Sequence, residues 1–115
     1  MSYTPYAPYN SEAIDRYVTS DGGNYVLGTF DSEGNPVVQY VGKADDLNRR
    51  LKEHLEEFSY CKWFGIIYES DEMRRYYNEC YDYHSFGGSA KLKNKIHPAK
   101  PGGLSWWSEC PVCGR

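Results

Sequence analysis

Apolar and polar positions divide the chain into a short helix, a hairpin, a helix, a strand, a longer helix and an irregular tail. Ile14 and Val18 share one face of a helix that Asn10 or Ser11 caps and that runs to about Thr19, where Asp21-Gly22-Gly23 ends it. Asn24 to Phe30 and Pro36 to Val41 read as strands. The loop between them, Asp31-Ser32-Glu33-Gly34-Asn35, has hairpin chemistry. Asp45 or Asp46 then caps a helix to about Phe58, with Leu47, Leu51, Leu55 and Phe58 in one stripe. Lys62 to Tyr68 reads as a buried third strand, and Asp71 starts a helix to about His84 with Met73, Tyr77, Cys80 and His84 on its inner face. Gly87-Gly88 breaks that helix, and the run KLKNKIHPAKPGG allows one helical turn before Pro98.

The order predicts an α/β (α+β) fold: a small three-stranded antiparallel or mixed sheet flanked by helices. Residues 1–22 read as an irregular arm and a short helix, 23–100 as the main domain, and 101–115 as a tail. The 115 residues suit one modest core.

Aromatic residues reach 17%, with 12 Tyr, a side chain suited to half-buried packing and to stacking on bases. The net charge of −3 argues against unspecific nucleic-acid binding, but the charge is unevenly spread. Residues 1–40 hold one Arg against five acids, whereas residues 84–115 hold four Lys and one Arg against a single Glu. That basic segment can meet phosphate, or serve as a solvated loop. No apolar run is long enough for a membrane span, and MSYTPYAPYN lacks the pattern of a secretory signal. The expectation is a cytoplasmic, intracellular protein whose four cysteines are free thiols or metal ligands.

Candidate chemistry is spread over these elements. Tyr25 and Tyr40 lie on the paired strands. Arg50 and His54, four apart, share a helix face bordering the leucine stripe. Glu79 lies on the longer helix, and Asn94 in the basic loop beside Lys93 and Lys95. Taken singly, each of these is more often packing or a solvated charge.

Taken together they resemble the GIY-YIG nuclease family. The first half-motif stands here as Gly23-Asn24-Tyr25 and the second as Tyr40-Val41-Gly42; Arg50, His54, Glu79 and Asn-Lys-Ile-His-Pro at 94–98 follow in order. The resemblance spans about residues 23–100. Two features depart from the pattern: Asn24 replaces a branched apolar residue, which should cost strand packing, and the loop between the triplets is long.

The resemblance implies a divalent-metal-dependent endonuclease acting on DNA, with Mg²⁺ or Mn²⁺ as cofactor. It implies that Glu79 holds the cation, that Arg50 clamps the scissile phosphate, and that Tyr25 or Tyr40 positions or deprotonates the attacking water. His54 would bond a tyrosine or the phosphate, and Asn94 would brace the site or touch the nucleic-acid backbone. Lys43, Lys93 and Lys95 are candidate nucleic-acid contacts. A tyrosine has a pKa of about 10, so a base role needs a nearby cation, for which Lys43 is the local candidate and the metal another. The same fold could also hold nucleic acid without cutting it. No segment reads as a separate recognition element, so such an enzyme would act unspecifically, recognise a structure, or borrow specificity from a homodimer, a partner or a further domain.

Cys110-Pro111-Val112-Cys113-Gly114 has the spacing of a zinc knuckle. It supplies two ligands of the four that a structural Zn²⁺ site takes, and Cys61, Cys80, His84, His97 or a second copy of the chain are candidates for the rest. Cys80 and His84, at i and i+4, are one such pair. An interaction protein organised by zinc is therefore a third reading, and Trp106 and Trp107 would by default pack the tail on the domain, stacking on bases or marking a partner surface being the alternatives.

Overall fold

The computed structural model describes residues 7–94, 97–99 and 110–114. Four strands, β1 (Ala7–Pro8), β2 (Gly23–Phe30), β3 (Pro36–Ala44) and β4 (Trp63–Tyr68), form one antiparallel sheet in the order β1-β4-β2-β3. Three helices accompany it: α1 (Ser11–Tyr17), α2 (Leu47–Glu53) and α3 (Glu72–Ser85). The fold is thus α+β. No helix among the described residues is long and apolar enough to cross a membrane.

The expected three-stranded sheet gains a fourth strand from the segment read as an irregular arm. Ala7 and Pro8 pair with Phe64 and Trp63. Two residues leave no alternation to detect, and Pro8 suits only an edge position because it has no N–H for a further neighbour. The adjoining Tyr9 is buried, and its hydroxyl donates to Leu51 O at 2.8 Å. Residues 7–18 therefore share the core of the main domain.

Helix starts follow their caps. Asn10, Asp46 and Asp71 each accept from a backbone N–H three residues on. Helix α2 ends at Glu53, and hydrogen-bonded turns carry the chain on to Phe58, shorter than the stripe suggested. Leu47, Leu51 and Phe58 are nonetheless buried. The inner face of α3 is turned from the expected one. Its buried residues include Tyr76, Glu79, Cys80 and Tyr83, while Met73, Tyr77 and His84 are half-buried beside them.

The sheet is covered on both faces, which is why β2 is buried from Gly23 to Gly28 instead of alternating. On one face, Tyr25, Leu27, Phe64 and Ile66 pack with Ile14, Leu47 and Leu51 of α1 and α2. On the other, Val26, Val41 and Trp63 pack with Tyr83 of α3 and with Leu92.

Strand β3 is an edge, and edge strands present unpaired backbone groups. A bulge in the β2–β3 pairing leaves Gln39 without a register partner, and Gln39 O accepts from Lys93 N at 2.7 Å. Two residues on, the Asn94 side chain takes both backbone groups of Val41: Val41 N–H donates to Asn94 Oδ1 at 3.0 Å, and Asn94 Nδ2 donates to Val41 O at 2.8 Å. Residues 93–94 thus close part of this edge and set one wall of a cleft.

Candidate active site

Tyr25 and Tyr40 project from the α2 side of the sheet, whereas Glu79 comes from α3 on the other side. They meet because β3 is an edge around which both faces open. Tyr25 reaches that edge by lying over Gly42, its register partner. A Cβ at Gly42 would sit 2.4 Å from the Tyr25 hydroxyl and 2.3 Å from its ring, so the glycine of the second triplet is the space the first triplet's tyrosine occupies.

An open cleft of about 570 Å³ results. Its walls include Tyr25, Tyr40, Lys43, Arg50, His54, Glu79, Lys93 and Asn94. These are all the candidates expected from the sequence around the tyrosines except Lys95, which lies outside the described residues, as do Trp106 and Trp107. His97, Pro98 and Ala99 complete one wall.

The two phenols stack at 6.2 Å between ring centroids, and His54 lies 6.0 Å from Tyr25 and 5.7 Å from Tyr40. Burial pushes Tyr25 well above the ordinary tyrosine range, and the neighbouring Tyr40 adds to this. Tyr40 is also raised, first by burial and then by the negative charges of Glu79 and Glu57. Arg50 and a hydrogen bond from Tyr25 pull Tyr40 the other way. Lys43, the expected local cation for Tyr40, serves elsewhere: strand alternation puts it on the α3 side of the sheet, where Nζ pairs with Glu79 Oε1 at 3.4 Å and donates to Ala99 O at 3.3 Å. Arg50 is the cation facing the tyrosines. It is about half exposed, and its only ion pair among the described residues is a loose one with Glu53 at 3.8 Å.

His54 sits at the C-terminus of α2, its Nδ1 3.3 Å from Glu57 Oε1. No hydrogen bond links it to a tyrosine among the described residues; ring contacts do. Desolvation lowers its pKa against the opposing pull of Glu57.

Glu79 is 8% exposed. Desolvation raises its pKa, with Lys43, His97 and Arg50 opposing. Although Lys43 lies at ion-pair distance, Glu79 Oε1 has no aligned hydrogen-bond donor. Glu79 lines the cleft with one carboxylate oxygen buried beside Lys43, and a single carboxylate of this kind, completed by waters, fits a hard cation.

Asn24, expected to weaken strand packing, is a buried junction between β2 and α3. Its Nδ2 donates to Arg75 O at 2.9 Å, and its Oδ1 accepts from Asn78 Nδ2 at 3.1 Å. It holds the residue before Glu79 against the strand bearing Tyr25. Arg75, itself buried, donates to Glu69 O and pairs with Asp45 at 3.2 Å, tying the start of α3 to the entry of α2. Neither Asn78 nor Arg75 stood out in the sequence. A buried asparagine in a strand was the only clue that a polar partner must lie opposite it.

Asn94 spends both ends of its amide on Val41, so of its two expected roles the geometry gives bracing. Lys93 is exposed, and its side chain borders the cleft.

The knuckle cysteines lie apart from these donors. Cys110 and Cys113 come together with His84 and His97, one ligand atom from each lying within 4.8 Å of the others, a group that could hold a metal ion. Of the other candidates, Cys61 is buried in the α1–α2 core, and Cys80 packs behind Cys110. The expected Cys80–His84 pair thus divides, with His84 alone joining the group.

No family model, curated protein or solved structure matches the chain.

Proposed function

We propose that the chain is a divalent-metal-dependent DNA endonuclease of the GIY-YIG type. What supports this most is the convergence of Tyr25, Tyr40, Arg50, His54 and Glu79, from four separate elements and both sides of a sheet, on one cleft. Packing alone gives no reason for that set to meet.

Phosphodiester hydrolysis needs a positioned water, cancellation of charge on the phosphoryl oxygens, and help for the leaving oxygen. A bound Mg²⁺ or Mn²⁺ would supply Lewis-acid stabilisation, and Glu79 is the residue to hold it. Arg50, half exposed at the cleft and always charged, grips the scissile phosphate as a fork. Lys43 and Lys93 add positive charge to the walls. Tyr40 is the better water-positioning phenol. Arg50 lies near both phenols and opposes their upward shifts, but Tyr25 is the more deeply buried and is held protonated more firmly. His54 keeps the phenol pair packed from the α2 side.

The test is nicking of supercoiled plasmid by the purified chain with Mg²⁺ or Mn²⁺. The wild type is expected to convert plasmid to open circles and Glu79→Ala to leave it intact; equal background nicking by both defeats the proposal. A second reading, a module that holds nucleic acid without cutting it, draws on the Lys43–Glu79 pair, which already neutralises the carboxylate assigned to the cation. Salt-sensitive binding without cleavage in either metal would favour it.

A further inference from the structure

We propose that His84, His97, Cys110 and Cys113 bind one zinc ion in a closed structural site that fastens the C-terminal knuckle and the wall of the cleft to the end of α3. Glu79 is not one of its ligands, and the inference stands whether or not the cleft cuts DNA.

The donor set and its spacing fit. Zinc takes sulfur at about 2.3 Å and nitrogen at about 2.0–2.1 Å in a tetrahedron, so its ligand atoms lie roughly 3.3–3.8 Å apart. His97 Nε2 lies 3.3 Å from Cys113 Sγ, and all four donors fall within 4.8 Å of one another. Two nitrogens and two sulfurs favour zinc over the hard cations that suit Glu79.

The polar atoms are arranged as ligands. His84 Nε2 is buried without a hydrogen-bond partner, a state that a folded protein rarely leaves uncompensated. His97 Nδ1 lies 2.9 Å from Pro98 O; donating there puts the ring proton on Nδ1 and leaves Nε2 with its lone pair facing Cys113. Gly114 closes the knuckle at φ +76°, its N–H donating to Cys110 O at 2.9 Å.

The site also has a structural task. Residues 110–114 form a turn outside any helix or strand, with Cys110 alone buried against Tyr76 and Cys80. So small an apolar contact cannot hold a segment in place, whereas a metal ion with four protein ligands can, and it leaves no open position for chemistry. His97 belongs both to this group and to the cleft wall, beside the Ala99 carbonyl that receives Lys43. Zinc would thereby fix the wall that faces Glu79.

The experiment is metal analysis of the full chain purified without chelator, together with Co²⁺ substitution after zinc removal. The expected result is about one zinc per chain, and a Co²⁺ spectrum with tetrahedral d–d intensity and sulfur-to-cobalt charge transfer. Glu79→Ala should keep its zinc, whereas His84→Ala and the Cys110→Ser/Cys113→Ser double variant should lose it. Removing zinc from the wild type should speed amide exchange at Lys93 while the β2–β4 amides stay protected. Zinc-free protein whose Co²⁺ spectrum is octahedral would overturn the site, and this reading needs no variant to fold. Full zinc retention in both ligand variants would overturn the assignment. Unchanged exchange at Lys93 would overturn its role in fixing the wall.

Discussion

Helix α3 carries two kinds of donor five residues apart, and the contrast between their surroundings is instructive. Glu79 offers a single, mostly buried carboxylate at a cleft whose walls also carry phenols and cations. His84 belongs to a set of four soft or borderline donors that close on one another. The first arrangement leaves coordination positions for water and substrate; the second leaves none. On the two proposals, chemistry would belong at the incomplete site and stability at the complete one, with the 97–99 wall between them.

The sharpest way to break this contrast is at Arg50. Because its side chain is half exposed and loosely paired, Arg50→Ala should leave folding and zinc content unchanged. It should nevertheless slow plasmid cleavage by about 10²–10³-fold, the scale for removing one preorganised charge-stabilising group. Arg50→Lys should recover only part of this, because an ammonium lacks the guanidinium fork. Single-turnover rates would measure both.

Next comes Gly42→Ala. Its Cβ would collide with the Tyr25 ring, so the expected result is a loss of about 1–3 kcal/mol in urea unfolding, as overpacking typically costs. Cleavage should fall as well, since the phenol is displaced from the edge. An unchanged protein would show that Tyr25 need not lie over Gly42.

Asn24→Val is the third test. It restores an apolar residue at the middle of the first triplet, and a packing argument alone predicts a gain in stability. Hydrogen bonding predicts the opposite. The Arg75 carbonyl and the Asn78 amide lose their partner, at about 1–3 kcal/mol for buried groups left unsatisfied. Chemical denaturation decides between the two.

The same residue shows where the sequence was legible and where it was not. The hairpin, the three helix caps and the buried β4 follow from local pattern, because turn chemistry and capping are settled within a few residues. The order of Tyr25, Tyr40, Arg50, His54 and Glu79 was legible too, since each position is matched separately. What escaped depends on distant partners. The role of Asn24 is set by α3, some fifty residues away. Strand β1 owes its existence to β4, not to its two residues. The inner face of α3 was misplaced because tyrosines run along much of its circumference and the apolar stripe is ambiguous. Lys43 was assigned to Tyr40 by sequence distance, although strand alternation sends it to the other side of the sheet. Of the knuckle's partners, both histidines were among the candidates, but nothing local selected them over Cys61 or Cys80.

The smallest expected effect is a pH dependence at His54. Its folded pKa lies below the unfolded value of about 6.5, mainly through desolvation. The neutral ring therefore contributes stability above that pH, and the contribution is lost as pH falls through the folded value. His54→Gln should flatten the acid side of a stability–pH profile slightly and leave the region above pH 7 unaltered. A steeper acid limb would reverse the assigned sign.

The most direct measurement is a Mn²⁺ titration of zinc-loaded protein followed by NMR of labelled tyrosine and arginine side chains. One saturable site should broaden Tyr25, Tyr40 and Arg50 together, and Glu79→Ala should abolish that broadening while the zinc remains bound. Broadening that survives Glu79→Ala, or that spares the phenols, would contradict a cation centred in this cleft.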